Sequence, residues 1–336
     1  MRAVVVREPG PIESEHRLLI EDRPEPTPGP GQVCLRVEAC GVCHTDLHVI
    51  EGELPKLGRP TVPGHQIVGR IQAVGADVDP TVLGRRVGVG WLGFADGTCR
   101  YCQRGLENLC EHARFTGYQI DGGYAELALA NAAFAYPLPD SASPVQLAPL
   151  LCAGVVGYRA LRLSGAEAGA RLGLYGFGAS AHLVLQAARR RGCRVLVFTR
   201  GARHRELALA LGAEWAGPAD ANPPGGPLQA AIIFAPAGEL VPLALGALDR
   251  GGTLVLAGIY MSALPSMPYN LVWHERSIRS VANATRQDAQ ELLELARRQP
   301  FRVEAQEYPL AAAGEVLREL KAGQVRGAAV LRISDR

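Results

Sequence analysis

The sequence predicts a two-domain α/β protein, with an N-terminal β domain followed by a doubly wound parallel sheet wrapped by helices. Three observations carry that expectation. The chain has 336 residues, more than one hydrophobic core usually serves. Up to about residue 140 it reads as short apolar runs separated by Gly/Pro turns, the pattern of an all-β domain. From Pro144 onward, strand-like and helix-like stretches alternate, which implies parallel strands joined by helical crossovers.

In the β part the expected strands are Ala3–Val6, Gln32–Val37, Gln66–Val74 and Arg86–Val89, with Pro24–Gly31 as a turn-rich connector. In the second part, Leu172–Tyr175 is a strand and Ala179–Arg191 a helix. Val195–Phe198 is the next strand, and Glu206–Leu211 a helix stopped by Gly212. Ala231–Phe234 and Thr253–Ala257 are further strands. A helix at Asp288–Arg298 and a strand at Ala328–Ile333 close the chain.

Composition narrows the function classes. Hydrophobic residues make up 48% and charged residues 20%, as in ordinary globular proteins. A formal net charge of +2 gives no electrostatic support to nucleic-acid or membrane-surface binding. The N-terminal apolar run Ala3–Val6 is too short for a signal-peptide core, and no stretch reaches membrane-span length. A cytoplasmic protein is expected. Its eight cysteines are then ligands more readily than disulfides.

The segment Leu172–Ala181 (LGLYGFGASA) holds Gly176, Gly178 and Ala181 in a G-x-G-x-x-G/A turn after a strand and before a helix. There the glycines allow a tight turn and close backbone approach to a pyrophosphate, which sits on the helix N-terminus. A glycine turn without ligand is the alternative. A carboxylate is expected at the end of the next strand for NAD, but Thr199 stands there, followed by Arg200 and Arg203. A hydroxyl and two guanidinium groups suit a 2′-phosphate, so NADP(H) is favoured over NAD(H). A solvated basic loop, with His204 and Arg205, is the other reading.

Two cysteine systems follow. Cys99-x2-Cys102 with Cys110 and Asp96 forms a local set, able to close a tetrahedral shell of three thiolates and one carboxylate around a structural zinc. A metal-free loop of reduced thiols is the alternative. The second set, Cys43, His65 and Cys152, is dispersed. Two thiolates and one imidazole match a Cys2His catalytic zinc set with an open fourth position, yet spacing alone does not join residues so far apart.

The segments Gly41–His48 (GVCHTDLH), Pro63–Ile71 (PGHQIVGRI) and Leu150–Leu161 (LLCAGVVGYRAL), with the cysteine lobe and the glycine turn, run over essentially the whole chain. In them the sequence resembles the zinc-containing medium-chain dehydrogenase/reductase family, the alcohol dehydrogenases. The resemblance implies a GroES-like β domain from residues 1–152 and 283–336, a Rossmann domain from 153–282, and an active site in the cleft between them. It implies two zinc ions (Zn2+) per chain and a homo-oligomer, a dimer or tetramer.

Residue by residue, Cys43, His65 and Cys152 match the catalytic zinc ligands. Thr45 matches the hydroxyl that contacts the zinc-bound alcohol, and His48 the base at the outer end of a proton relay. Asp46 matches the carboxylate that orients the ligand histidine. His44 and Arg326 match cofactor-phosphate contacts. The sequence departs from the family at Gln66, where Glu is usual, at Asp96, where Cys is usual, and at Thr199. The segment Pro218–Pro227 is slightly short.

The expected function is hydride transfer between NADP(H) and a small primary or aromatic alcohol or aldehyde. Ile50, Trp91, Leu92 and Phe94 are candidate pocket residues, with the core as their alternative. Thr45 could instead be a helix N-cap. His16, His112, His182, His204 and His274 fit no constellation. Competing functions are a zinc-free quinone or enoyl reductase, disfavoured by the three retained ligands, and a non-catalytic NADP(H) or zinc-thiol sensor, disfavoured by Thr45 and His48.

Overall fold

The computed structural model describes residues 1–14 and 17–334. His16 lies outside the described residues. The chain divides into two compact units, Met1–Cys152 with Thr285–Arg336, and Ala153–Ala284. No single helix among the described residues is long and apolar enough to cross a membrane.

The first unit is built on a sheet ordered Ala305–Pro309, Ala328–Arg332, Gln32–Val42, Gln66–Val74, Arg86–Val89 and Ala135–Pro137. Leu127–Asn131 pairs with the first half of Gln32–Val42. Only the first two strands are parallel to each other. Strand Gln32–Val42 runs five residues beyond the expected Val37. Glu38 interrupts the apolar pattern there, yet it is buried and stays in the strand because three nitrogens satisfy it. Arg86 Nε lies 2.7 Å and Arg86 Nη2 3.2 Å from its carboxylate, and Arg70 Nε 3.1 Å. A buried carboxylate so paired escapes most of its desolvation cost. Leu35, Val37, Ile67, Tyr124 and Val316 are among the residues of the core that this sheet covers.

The strand ends at Val42, and the helix His44–Glu51 starts immediately. Cys43 is its N-cap, in extended backbone, and Asp46 reaches back to the Cys43 N–H at 2.9 Å in a capping box. Thr45 is therefore inside the helix, and its reading as the cap is corrected. Gly52, in left-handed backbone, closes the helix.

The second unit is a six-stranded, wholly parallel sheet. Its order is Trp215–Gly217, Arg194–Phe198, Arg171–Tyr175, Leu228–Ile233, Leu248–Leu256, Ser277–Ser280. Numbered within the unit, that order is 3-2-1-4-5-6, the doubly wound arrangement whose strand order reverses beside the first strand. The helix expected from Glu206 begins at Ala202. Its basic first turn reads as loop, but Arg205 donates to the carbonyls of Thr199 (3.1 Å) and Arg200 (2.9 Å) and fastens that turn to the strand end. The strand expected at Ala231–Phe234 is Leu228–Ile233. Buried Arg171 holds the short segment beside it, donating to the carbonyls of Pro227 (3.2 Å) and Gly226 (3.1 Å).

Candidate active site and metal centres

The first unit brings Cys43, His65 and Cys152 together, with one donor atom from each within 4.8 Å of the others. They arrive from a helix N-cap, the residue before strand Gln66–Val74, and the turn that ends Ala148–Leu151. Cys43 Sγ and Cys152 Sγ are 3.8 Å apart, and His65 Nε2 is 3.3 Å from Cys152 Sγ. A disulfide would need roughly 2.0 Å. A tetrahedral zinc with ordinary bond lengths separates such atoms by roughly 3.5–3.8 Å. The three residues fit the metal and leave one coordination position for water or substrate.

Asp46 fixes this cluster from behind. Its Oδ1 lies 3.0 Å from His65 Nδ1 and accepts the Gly64 N–H at 3.2 Å. Its Oδ2 accepts the Cys43 N–H and the Tyr124 hydroxyl, the latter at 3.1 Å. With Nδ1–H donated to Asp46, His65 presents Nε2 to the cluster, the tautomer a metal requires. Gly64 makes the packing possible. Its φ is +96°, and a Cβ there would lie 2.3 Å from the Tyr124 ring. Tyr124 had no sequence signal, since nothing in its neighbourhood points to a metal centre.

The charges agree with cation binding. The Cys43 thiol is drawn well below its usual range, first by its bond to Cys152 and then, against burial, by His65. The Cys152 thiol rises in return, because that bond and burial keep the proton on it. Burial opposes a charged His65, but Asp46 and Cys43 outweigh it and lift the imidazole to about 10. Negative charge is thus gathered around one imidazole, which a dication would balance while displacing the protons.

Beside the cluster, the Trp91 ring meets His65 edge-on at 5.1 Å and stacks on Phe115 at 4.9 Å. Thr45 Oγ1 is 3.7 Å from Cys43 Sγ. His48 Nδ1 lies 2.6 Å from Glu53 Oε2. Glu53 went unnoticed in the sequence because the left-handed turn at Gly52 brings it back onto the helix. Of the other pocket candidates, Ile50 is corrected to core, fully buried in the hydrophobic cluster. Leu92 is also buried, and Phe94 lies beneath the Arg114 guanidinium. Gln66 is buried and packs over Gly41.

The lobe residues Asp96, Cys99, Cys102 and Cys110 also converge, again within 4.8 Å of one another. Three sulfurs and a carboxylate oxygen at that spacing fit a closed tetrahedral zinc. Asp96 is held well below the usual carboxylate range, first by the Cys99 N–H and then by His112. Cys102 is pushed up to about 12 by burial and by its bond to Cys99. His112 belongs to this lobe, with Nδ1 2.7 Å from Asp96 Oδ2, which corrects its reading as a residue outside any constellation.

In the second unit Gly176 has φ +85°, and Gly178 is the N-cap of helix Ala179–Arg190. A Cβ on Gly178 would meet nothing within 4 Å. That open face lies over helix amides with no intrahelical partner, a cradle that fits a phosphate. Ala181 is fully buried against the sheet. Thr199 is buried at the end of the second strand and gives its N–H to Gly217. Arg200 and Arg203 are exposed, and among the described residues neither pairs with a carboxylate. His44 and Arg326 are exposed residues of the first unit. His182 is buried, whereas His204 and His274 are exposed.

Residues 29–140 match the alcohol dehydrogenase GroES-like domain, and residues 181–298 match the zinc-binding dehydrogenase domain. A probable alcohol dehydrogenase, AdhA, of Mycobacterium tuberculosis is 48% identical over 99% of this chain and 97% of its own. The chain belongs to the zinc-containing medium-chain alcohol dehydrogenases. An alcohol dehydrogenase of Geobacillus stearothermophilus is 37% identical over the full length of both chains. Acetophenone reductase of Geotrichum candidum, solved in complex with NAD, superposes with a TM-score of 0.85 at 26% identity, covering 98% of this chain and 96% of that one. The family's GroES-like and Rossmann folds are the two units described above. Its activity is the oxidation of alcohols or reduction of carbonyls on this fold, and its substrates are small molecules.

Proposed function

We propose that this alcohol dehydrogenase is zinc-dependent, carries two zinc ions per chain, and prefers NADP(H), acting on primary or aromatic alcohols and aldehydes. The observation that carries the zinc reading is the Cys43, His65 and Cys152 cluster with Asp46 bonded to the imidazole behind it. Zinc held there would be a Lewis acid, easing ionisation of a bound alcohol and polarising a bound carbonyl, and the nicotinamide would carry the hydride.

The residues of the chain do the rest. Thr45 Oγ1, beside Cys43 Sγ, would take the proton of a bound alcohol as it gives up its own. His48, at the outer end of that relay, would release a proton to solvent, its ring steadied by Glu53. Trp91 gives the site a flat wall, clamped by Phe115, which favours planar carbonyl substrates and keeps water out. Thr199, Arg200 and Arg203 replace the carboxylate that would repel a 2′-phosphate. His44 and Arg326 supply further phosphate contacts.

A homo-oligomer agrees with the open edge strand Ser277–Ser280, near which Tyr269, Trp273 and Ile278 are exposed. A cytoplasmic setting agrees with eight unbridged cysteines.

A panel of alcohols and aldehydes run with both cofactors tests the cofactor and substrate readings together. Arg200→Ala is expected to raise KM for NADPH by roughly 10- to 100-fold, the worth of one charge-assisted bond, with little change for NADH. Equal effects on both cofactors would remove the phosphate reading.

A further inference from the structure

The carboxylate of Asp96 replaces a thiolate, and the exchange has a structural cost. A cysteine ligand has a single donor atom on a short arm. An aspartate has two oxygens and an extra rotatable bond, so both oxygens must be held for one to face the metal. Here they are held unequally. Oδ1 accepts the N–H of Thr98 at 2.8 Å and of Cys99 at 2.9 Å. Oδ2 lies 2.7 Å from His112 Nδ1. A carboxylate offers about four acceptor positions, two on each oxygen. Two of these positions are taken on Oδ1 and one on Oδ2, and a carboxylate oxygen of Asp96 lies within 4.8 Å of the three sulfurs. Cys110 Sγ accepts the N–H of both Asp96 (3.5 Å) and His112 (3.4 Å), so the two residues are tied to the same ligand sulfur.

We propose that His112 is a positioning residue of the lobe's metal site, fixing the Asp96 carboxylate through its bond to Oδ2 so that the carboxylate can serve as the fourth ligand. The inference rests on reading Asp96, Cys99, Cys102 and Cys110 as a zinc site. Carboxylate is a harder and weaker partner for zinc than thiolate, and an outer hydrogen bond raises the affinity of such a ligand. His112 is 72% exposed and Asp96 16%. As a plain surface pair they would contribute little, and any contribution would not depend on which residue is the fourth ligand.

That dependence is the test. The full-length zinc-loaded protein is mixed with a chromophoric chelator, and zinc release is followed by absorbance. Loss of one phase in Cys152→Ser assigns the other to the lobe. His112→Ala is expected to speed release from the lobe by roughly 10- to 100-fold. His112→Asn, whose amide nitrogen takes the place of Nδ1, should restore most of the difference. In an Asp96→Cys background, His112→Ala should change nothing, because the thiolate needs no support. Equal acceleration in both backgrounds would overturn the proposal, as would no acceleration in the parent. If Asp96→Ala retains lobe zinc while His112→Ala loses it, His112 is itself the ligand and the proposal fails. If Cys102→Ser leaves two release phases unchanged, the zinc reading of the lobe fails first and takes the proposal with it.

Discussion

Cys43, His65 and Cys152 come from three separate segments and are largely buried, whereas Asp96, Cys99, Cys102 and Cys110 lie on one loop, half of it open to solvent. The first cluster gathers three donor atoms and the second four, so the proposed zinc would keep an open position in the first and be closed in the second. Their supports are mirror images. Behind His65, a carboxylate fixes an imidazole; behind Asp96, an imidazole fixes a carboxylate. The buried support, Asp46, also serves Cys43, Gly64 and Tyr124. The exposed one has a narrower task. On the proposed reading, burial makes the first cluster a reactive site whose residues depend on one another, and exposure makes the second a local staple.

That contrast can be broken in order of expected effect. Cys43→Ala should lower aldehyde reduction by at least about 10^3-fold, since an open zinc position cannot be kept on two ligands; full activity would end the zinc mechanism. Asp46→Ala should come next. It strips a partner from His65, two backbone amides and the Tyr124 hydroxyl, each loss costing about 1–3 kcal/mol in a buried setting. Zinc affinity should fall by roughly 10- to 100-fold, measured by competition with a chelator, together with a lower Tm. Unchanged affinity would mean that His65 needs no orienting partner. Cys102→Ser should have the smallest effect on catalysis. It should remove one zinc and lower Tm by roughly 5–10 °C, while the folded fraction still turns over. Loss of activity without loss of stability would make the lobe part of the reactive site.

The same contrast governs what could be read from the sequence. The lobe was legible because its ligands sit at knuckle spacing, Cys99-x2-Cys102. The dispersed cluster became legible only through the family resemblance, because strand pairing across the first unit, not spacing, unites it. Strands Gln66–Val74 and Arg86–Val89 were expected with the boundaries they have, as apolar runs between turns. Strand Gln32–Val42 was cut short at Glu38, since its neutralisation by Arg86 and Arg70 comes from residues far along the chain. Tyr124, Glu53 and His112 escaped for a related reason. Each reaches a site residue through a side-chain hydrogen bond, and such a bond leaves no periodic trace in sequence. Ile50 was misplaced into the pocket because a buried core residue and a pocket residue are both simply apolar.

Zinc content and aldehyde reduction by NADPH, measured on the same samples of the parent protein and Cys152→Ser, test the central claim most directly. The expected result is two zinc ions per chain and activity in the parent, against one zinc ion and no activity in Cys152→Ser. Undiminished activity in Cys152→Ser, or the same zinc content in both proteins, would contradict it.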